Sequence, residues 1–119
     1  MKRIFVCSPF QGKQENLEKA KLYCKYVMQE GHAPFASHLL YPQFLDDKDP
    51  ESRERGIWAG IAYLRTCDEV WVFGETANAP PTPGMAKELE AAKILDVPIV
   101  TCTEAAVRFR LKGKFNGKT

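Results

Sequence analysis

The sequence predicts an α/β protein built on a small doubly wound parallel sheet, of the Rossmann-like or flavodoxin-like kind, with four to five strands flanked by helices. Short runs of β-branched and aromatic residues alternate along the chain with longer amphipathic segments. This alternation is typical of parallel strands joined by crossover helices. A length of 119 residues is that of one domain, so we expect residues 1–119 to form a single unit.

The individual elements follow from this pattern. The first strand, 3–7, carries a β-branched and aromatic run that ends at Ser8-Pro9, as expected of a strand buried on both faces. In the first helix, apolar residues recur every three or four positions, and Gly31 provides the stop. The predicted strands are 3–7, 32–37, 69–74 and 97–101, and the predicted helices are 14–30, 51–67 with Pro50 in its first turn, and 83–95.

Two segments are predicted to be loops. Residues 39–50 carry two prolines and an acidic cluster, and they are long enough to form a lid or a binding loop. Residues 75–84 are rich in Pro, Ala and Thr and read as an irregular connection into the third helix.

The composition excludes several classes of protein. An apolar fraction of 45% and a charged fraction of 27% are those of a globular domain, and no apolar stretch approaches the roughly 20 residues of a membrane span. The net charge is +2, and Lys and Arg are mixed with acids, so we expect no nucleic-acid partner. Only 108–118 is a basic run, for which we favour a frayed, solvated terminus over an RNA or phosphate contact.

The cysteines and the first residues indicate a reduced, cytoplasmic setting. The cysteines form no C-x-x-C pair and have no histidine at ligand spacing, so we expect neither a metal site nor a disulfide framework, but small core residues. The chain enters its first strand without the long apolar region of a secretory signal. The cysteines are Cys7, Cys24, Cys67 and Cys102.

Candidate functional residues are those that follow the strands, because doubly wound sheets bind ligands beyond the carboxyl ends of their strands. After the first strand, Gly12 and the following helix N-terminus offer backbone N–H groups to an anion such as phosphate, with a plain turn as the alternative. After the second strand come Ser37 and His38. We favour a structural hydrogen bond for His38 over base recognition or proton transfer.

The third strand leads to Gly84, Met85 and Glu88. The helix dipole alone favours a carboxylate early in a helix by about 0.3 to 1 kcal/mol. The spacing, however, places Met85 and Glu88 one turn apart on a face that turns inward, while Lys87 and Glu90 can face water. An inward carboxylate at the strand ends is a candidate functional group.

Three segments, IFVCSPFQG, CDEVWVFG and GMAKELEAAKILDVPIV, resemble the nucleoside 2-deoxyribosyltransferase-like superfamily, most closely its small DUF4406-like members from bacteria and phages. The resemblance covers residues 3–101. It implies a doubly wound α/β fold in which Glu88, in a G-x-x-x-E pattern, attacks the anomeric carbon of a (deoxy)nucleoside and releases the base. It also implies that the loop after the first strand contacts the sugar or a 5′-phosphate. We expect no metal and no cofactor.

The predicted ligand-binding residues combine that loop with the strand ends and the start of the third helix: Cys7, Ser8, Pro9, Phe10, Gln11, Gly12, His38, Gly74, Gly84 and Met85.

The chain departs from the superfamily pattern at several positions. Characterised transferases carry Asp where this chain has Ile61 and Thr82. Asp68 is interpreted as a residue that begins the third strand rather than as a replacement acid. Gln11 stands where phosphate-preferring relatives have a basic or glycine-rich sequence, and Lys13 is the cation that could substitute as a point charge.

Three hypotheses remain open from the sequence. The first is an enzyme that cleaves or transfers the N-glycosidic bond of a nucleoside or nucleotide with Glu88 as nucleophile. The second is a protein that holds a nucleotide without turnover, as a sensor or a sponge, which the missing carboxylates favour. The third is an interaction module without a ligand that uses the aromatic segment 38–44. The resemblance also implies a homo-oligomer, because relatives complete each pocket with residues of a neighbouring subunit.

Overall fold

A computed structural model describes the backbone of residues 1–74 and 80–115 and the side chains of 1–74 and 80–112. The predicted loop 75–84 therefore lies partly outside the described residues. The strands are β1 (Arg3–Cys7), β2 (Ala33–Phe35), β3 (Glu69–Gly74) and β4 (Ile99–Thr103), and the helices are α1 (Gln14–Gln29), α2 (Pro50–Leu64), α3 (Pro83–Ile94) and α4 (Glu104–Phe115). Two short 3-10 turns, Ser37–Leu39 and Tyr41–Gln43, follow β2.

The four described strands form one parallel sheet in the order β2-β1-β3-β4. Strand order reverses between β1 and β3, where Phe5 pairs with Val70 and Cys7 with Val72. Such a reversal opens a crevice at the carboxyl ends of the two strands, because the connections leave in opposite directions. The predicted α/β class and doubly wound sheet are confirmed.

Helices cover both faces of the sheet, which explains why β1 is apolar and buried from Ile4 to Cys7. Ile4 and Val6 pack into a cluster with residues of α1 and α4, whereas Phe5 and Cys7 pack into a second cluster with residues of α2 and α3. Because successive side chains of a strand point to opposite faces, a strand covered on both faces needs no polar residue. Burial of each large apolar side chain contributes roughly 1.5 to 3 kcal/mol.

Most element boundaries agree with the predicted ones to within a few residues. β4 begins at Ile99, two residues later than predicted, and pairs with β3 as far as Thr103. Pro98 lacks a backbone N–H and accepts a bond from the Val70 N–H at 2.8 Å. The predicted loop 39–50 is irregular except for its 3-10 turn. All four cysteines are free.

The prediction of a frayed terminus over 108–118 is wrong for residues 108–115, which belong to α4. Val107 and Leu111 lie one turn apart and are buried in the same cluster as Ile4 and Val6. Arg110 forms an ion pair at 2.7 Å with Glu30, the C-cap residue of α1. Arg108, Arg110 and Lys112 are exposed and therefore belong to the outer face of a docked helix. The last residues of the basic run, 116–118, lie outside the described chain. Within the described chain, no helix is long and apolar enough to cross a membrane.

Candidate functional site

A cavity of about 430 Å³ lies at the carboxyl end of the sheet. Its walls are the loop after β1, the segment after β2, and the first turns of α2 and α3. Glu88 lines this cavity together with Phe10 and Gln11. The carboxylate of α3 and the loop after the first strand therefore face the same space, at the place where doubly wound sheets bind ligands.

The local sequence sets the position of Glu88. Thr82 is the N-cap of α3, and its hydroxyl accepts a hydrogen bond from the Met85 N–H at 3.2 Å. Pro83 occupies the first helical position, where its missing N–H costs nothing. Met85 then packs into the core, and Glu88, one turn later on the same inward face, is only 2% exposed. The predicted inward face is observed, and Lys87 and Glu90 are exposed.

Burial dominates the electrostatics of Glu88. It raises the pKa of the carboxyl from 4.5 to about 7, because the charged form loses hydration. Hydrogen bonds from the Cys7 thiol and the Ser37 hydroxyl favour the carboxylate and offset part of this effect. Among the described residues, Oε1 of Glu88 has no hydrogen-bond partner. A group with this pKa is partly ionised at neutral pH, and one of its two buried oxygens is left unpaired by the described residues.

His38 closes the opposite wall with Phe10. The two rings stack with centroids 5.1 Å apart and planes at 26°. Nε2 of His38 lies 2.7 Å from the backbone oxygen of Ser8. Because a carbonyl oxygen only accepts, Nε2 donates, and burial lowers the pKa of His38 so that the ring is neutral at pH 7. The favoured structural hydrogen bond is present, and the same ring also lines the cavity.

Asp47 is a cavity residue that sequence reasoning missed. Gln11 and Gly12 both adopt left-handed backbone angles, with φ of 51° and 69°. This turn brings the loop after β1 close to Asp47, whose Oδ2 would lie 3.3 Å from a Cβ added at Gly12. Asp47 lines the cavity. The acidic cluster in 39–50 was a signal, but its sequence did not indicate which carboxylate faces the strand ends.

An ion pair joins the two helices at the rim of the cavity. Nζ of Lys87 on α3 lies 2.8 and 2.7 Å from the two carboxylate oxygens of Glu54 on α2. Glu54 also accepts a bond from the Trp58 indole at 3.1 Å. Arg53, one residue earlier, lines the cavity as a second cation.

Several predicted ligand-binding residues lie elsewhere. Met85 is a core residue packed with Cys7 and does not line the cavity. Pro9 and Gly74 line a separate second cavity of about 250 Å³, which shares Gln11 with the first. Ser8 is buried, and its hydroxyl has no partner among the described side chains and backbone.

Gly84 lines the cavity, and a Cβ there would meet only Ile57, at 3.8 Å. Packing of the described protein therefore does not require glycine at this position. Asp68 accepts a bond from the Arg3 N–H at 2.7 Å and holds the start of β1, as its structural interpretation predicts. Ile61 is a core residue and Thr82 a helix cap, so both side chains serve the fold.

Fold and cavity together define an α/β protein with a concave cavity at the switch point of a parallel sheet. The chain belongs to a family defined by a domain of unknown function (DUF7768), which matches residues 2–102. No curated protein matches it.

Two solved structures share the fold. A 2-deoxyribosyltransferase from the psychrotolerant bacterium Bacillus psychrosaccharolyticus is 20% identical, with a TM-score of 0.65 over 83% of this chain and 70% of that one. A conserved protein from Enterococcus faecalis V583 is 16% identical, with a TM-score of 0.57 over 100% of this chain and 77% of that one. At these identities the similarity establishes a relation in fold.

The raised pKa of Glu88 predicts a pH-dependent stability. Below pH 4.5 the carboxyl is protonated in both the folded and the unfolded chain. Between pH 4.5 and about 7 the unfolded chain releases the proton first, so the free energy of unfolding falls as pH rises. The difference between 4.5 and about 7 corresponds to about 3 kcal/mol.

Glu88→Gln removes this titration, so its stability advantage over the wild type should grow by about 3 kcal/mol between pH 4.5 and pH 8. Urea denaturation at a series of pH values measures it. Glu90→Gln, on the exposed face of the same helix, is the matched control and should show no such trend. A Glu88→Gln difference that stays constant with pH would contradict the electrostatic description.

Proposed function

We propose that this chain binds a nucleoside or nucleotide in the cavity and cleaves or transfers its N-glycosidic bond, with Glu88 as the nucleophile. The observation that carries the proposal is the buried Glu88 carboxyl, whose Oε1 lacks a partner among the described residues and which shares the cavity with the loop after β1. A buried carboxylate held at the strand ends is costly for stability, so a role in ligand chemistry accounts for its presence.

The chemistry suits the environment of this carboxyl. A Glu88 oxygen forms a bond to the anomeric carbon while the C–N bond breaks, and the base leaves with the bonding electron pair and takes up a proton. Water or a second base then attacks the glycosyl ester and restores the carboxylate. A pKa of about 7 keeps a useful fraction ionised at neutral pH, and the Cys7 and Ser37 hydrogen bonds orient the group.

The remaining walls suit a nucleoside in size and character. A volume of about 430 Å³ lies in the range of small-molecule sites. Phe10 and His38 form a stacked pair of rings on which a base can stack in turn. Such an interaction is typically worth about 1 to 3 kcal/mol per base. The described residues include no group of three or more His, Cys, Asp or Glu arranged to hold a metal ion.

A second candidate function is sequestration of a nucleotide without turnover, as a sensor or a sponge. Ile61 and Thr82 favour it, because they occupy the positions at which characterised transferases carry their auxiliary Asp residues. In this case the ligand is bound tightly and recovered intact.

Base release distinguishes the two. Incubation with a panel of nucleosides, deoxynucleosides and their 5′-monophosphates should yield free base, measured by chromatography. Glu88→Gln should reduce release to background, because the amide cannot act as the nucleophile, while Glu90→Gln should retain it. Release that survives Glu88→Gln would contradict the nucleophile assignment. Ligands that raise the melting temperature and are recovered intact would instead support sequestration.

We also propose a homo-oligomer. Phe44 and Trp58 beside the cavity rim are 66% and 58% exposed, and a second copy would cover them. The Trp58 indole donates a hydrogen bond to Glu54, and the Phe44 ring contacts the Tyr41 ring. Glu54 and Tyr41 both line the cavity. Light scattering should therefore give a mass above that of one chain, and Phe44→Asp should lower it. A monomeric wild type would contradict this.

A further inference from the structure

Asp47 differs from the aspartates beside it. Asp46 accepts a bond from the Lys48 N–H at 2.9 Å, and Asp49 accepts one from the Ser52 hydroxyl at 3.0 Å, so both stabilise the local turn. The Asp47 carboxylate forms no hydrogen bond or ion pair within 1–74 and 80–112, and it lines the cavity that contains Glu88. Of these three acids, Asp47 is the one that the local turn does not use.

Asp47 and His38 share one chemical property. A carboxylate accepts hydrogen bonds and donates none. His38 donates from Nε2 to the Ser8 carbonyl, so the other nitrogen of its neutral ring, Nδ1, is also an acceptor. The negative charge of Asp47 is close enough to act on His38. This side of the cavity therefore accepts hydrogen bonds and is unfavourable for phosphate.

The cations lie on other walls. Arg53 belongs to the first turns of α2, and Lys87 to α3, where it is paired with Glu54. Among the described lining residues the cations thus lie on the helices, beside Glu54 and Glu88, whereas the charged residue of the segment after β2 is Asp47. A ligand placed with its hydrogen-bond donors toward Asp47 satisfies a carboxylate that has no partner in the described protein.

We propose that Asp47 and His38 form a subsite that recognises the neutral N–H or O–H donors of the ligand, and that Asp47 thereby selects among nucleosides. The donors available on a nucleoside are the exocyclic amine of the base and the hydroxyls of the sugar. This inference rests on the proposed nucleoside ligand. It adds a specificity-determining residue that is independent of the nucleophile. Loss of one such partner costs about tenfold or more in affinity, because the other is left unpaired.

The test uses Asp47→Ala, with Asp46→Ala as the matched control, since both remove one carboxylate acceptor and its charge at adjacent positions. Both are made in the Glu88→Gln background, so that no turnover depletes the ligand. Calorimetry gives the dissociation constant for adenosine and for four analogues, each of which lacks one donor group that adenosine has. The analogues are inosine, 2′-deoxyadenosine, 3′-deoxyadenosine and 5′-deoxyadenosine. A cytidine series, with uridine as the deaminated analogue, runs in parallel. Melting temperatures check that each variant is folded.

Asp47→Ala should weaken binding of the parent nucleoside at least about tenfold, and Asp46→Ala by less than about twofold. The loss should disappear for the one analogue that lacks the donor contacting Asp47. If that analogue is inosine or uridine, the base amine is the source. If it is a deoxy analogue, the corresponding sugar hydroxyl is.

Two results would overturn the inference while leaving the proposed function intact. One is unchanged affinity for every ligand in Asp47→Ala. The other is an equal loss for the parents and all analogues, which a general electrostatic effect would produce. If neither series binds the Glu88→Gln chain or stabilises the wild type, the proposed nucleoside site is itself wrong, and the inference falls with it.

Discussion

The removal of the Glu88 carboxyl from water is the interaction on which the site depends. An ionised carboxylate in an apolar setting is strongly disfavoured unless it is paired, and here burial outweighs the hydrogen bonds from Cys7 and Ser37. Domains of this size are stable by only about 5 to 15 kcal/mol, so a penalty of about 3 kcal/mol is a large share. An isosteric amide would avoid it. Retention of an acid that lowers stability at neutral pH is typical of a functional site, where activity and stability conflict.

The fold supplies the setting for that carboxyl through close packing on α2. Gly56 and Gly60 lie one turn apart in this helix, where glycine costs about 1 kcal/mol relative to alanine. A Cβ at Gly60 would lie 3.2 Å from Cβ of Ser37, and one at Gly56 would lie 3.5 Å from Leu45. The glycines therefore let the segment after β2 approach the helix. This approach places Ser37 beside Glu88 and forms the wall that carries His38 and Asp47.

Sequence patterns predicted those parts of the structure that depend on local periodicity. The apolar run of β1 and the inward face that carries Met85 and Glu88 follow from side-chain directions in strands and helices. α4 was missed because its basic residues dominate the composition, although Val107 and Leu111 have the spacing of a buried helical face. The ion pair between Arg110 and Glu30 joins residues 80 positions apart and leaves no local signal.

The candidate site was predicted in part for the same reason. Position after a strand correctly placed Phe10, His38 and Glu88 around one cavity, since parallel strands end at a common edge. The same reasoning also grouped Met85 and Gly74 with these residues. The Met85 side chain instead points into the core, and Gly74 lines the second cavity. The position of Asp47 depends on how the irregular segment 39–50 folds back against Gly12. No sequence periodicity indicates that contact.

Glu88 is a buried acid with a raised pKa, and we propose that a ligand bound in the cavity contacts it. Carbon-13 NMR of chains labelled at the glutamate side-chain carboxyl, with Glu88→Gln used to assign the resonance, follows this group directly through a pH titration. We expect an apparent pKa of about 7 for Glu88 and a shift of its carboxyl carbon resonance when a nucleoside is added. A midpoint near 4.5 with a resonance that no nucleoside alters would contradict it.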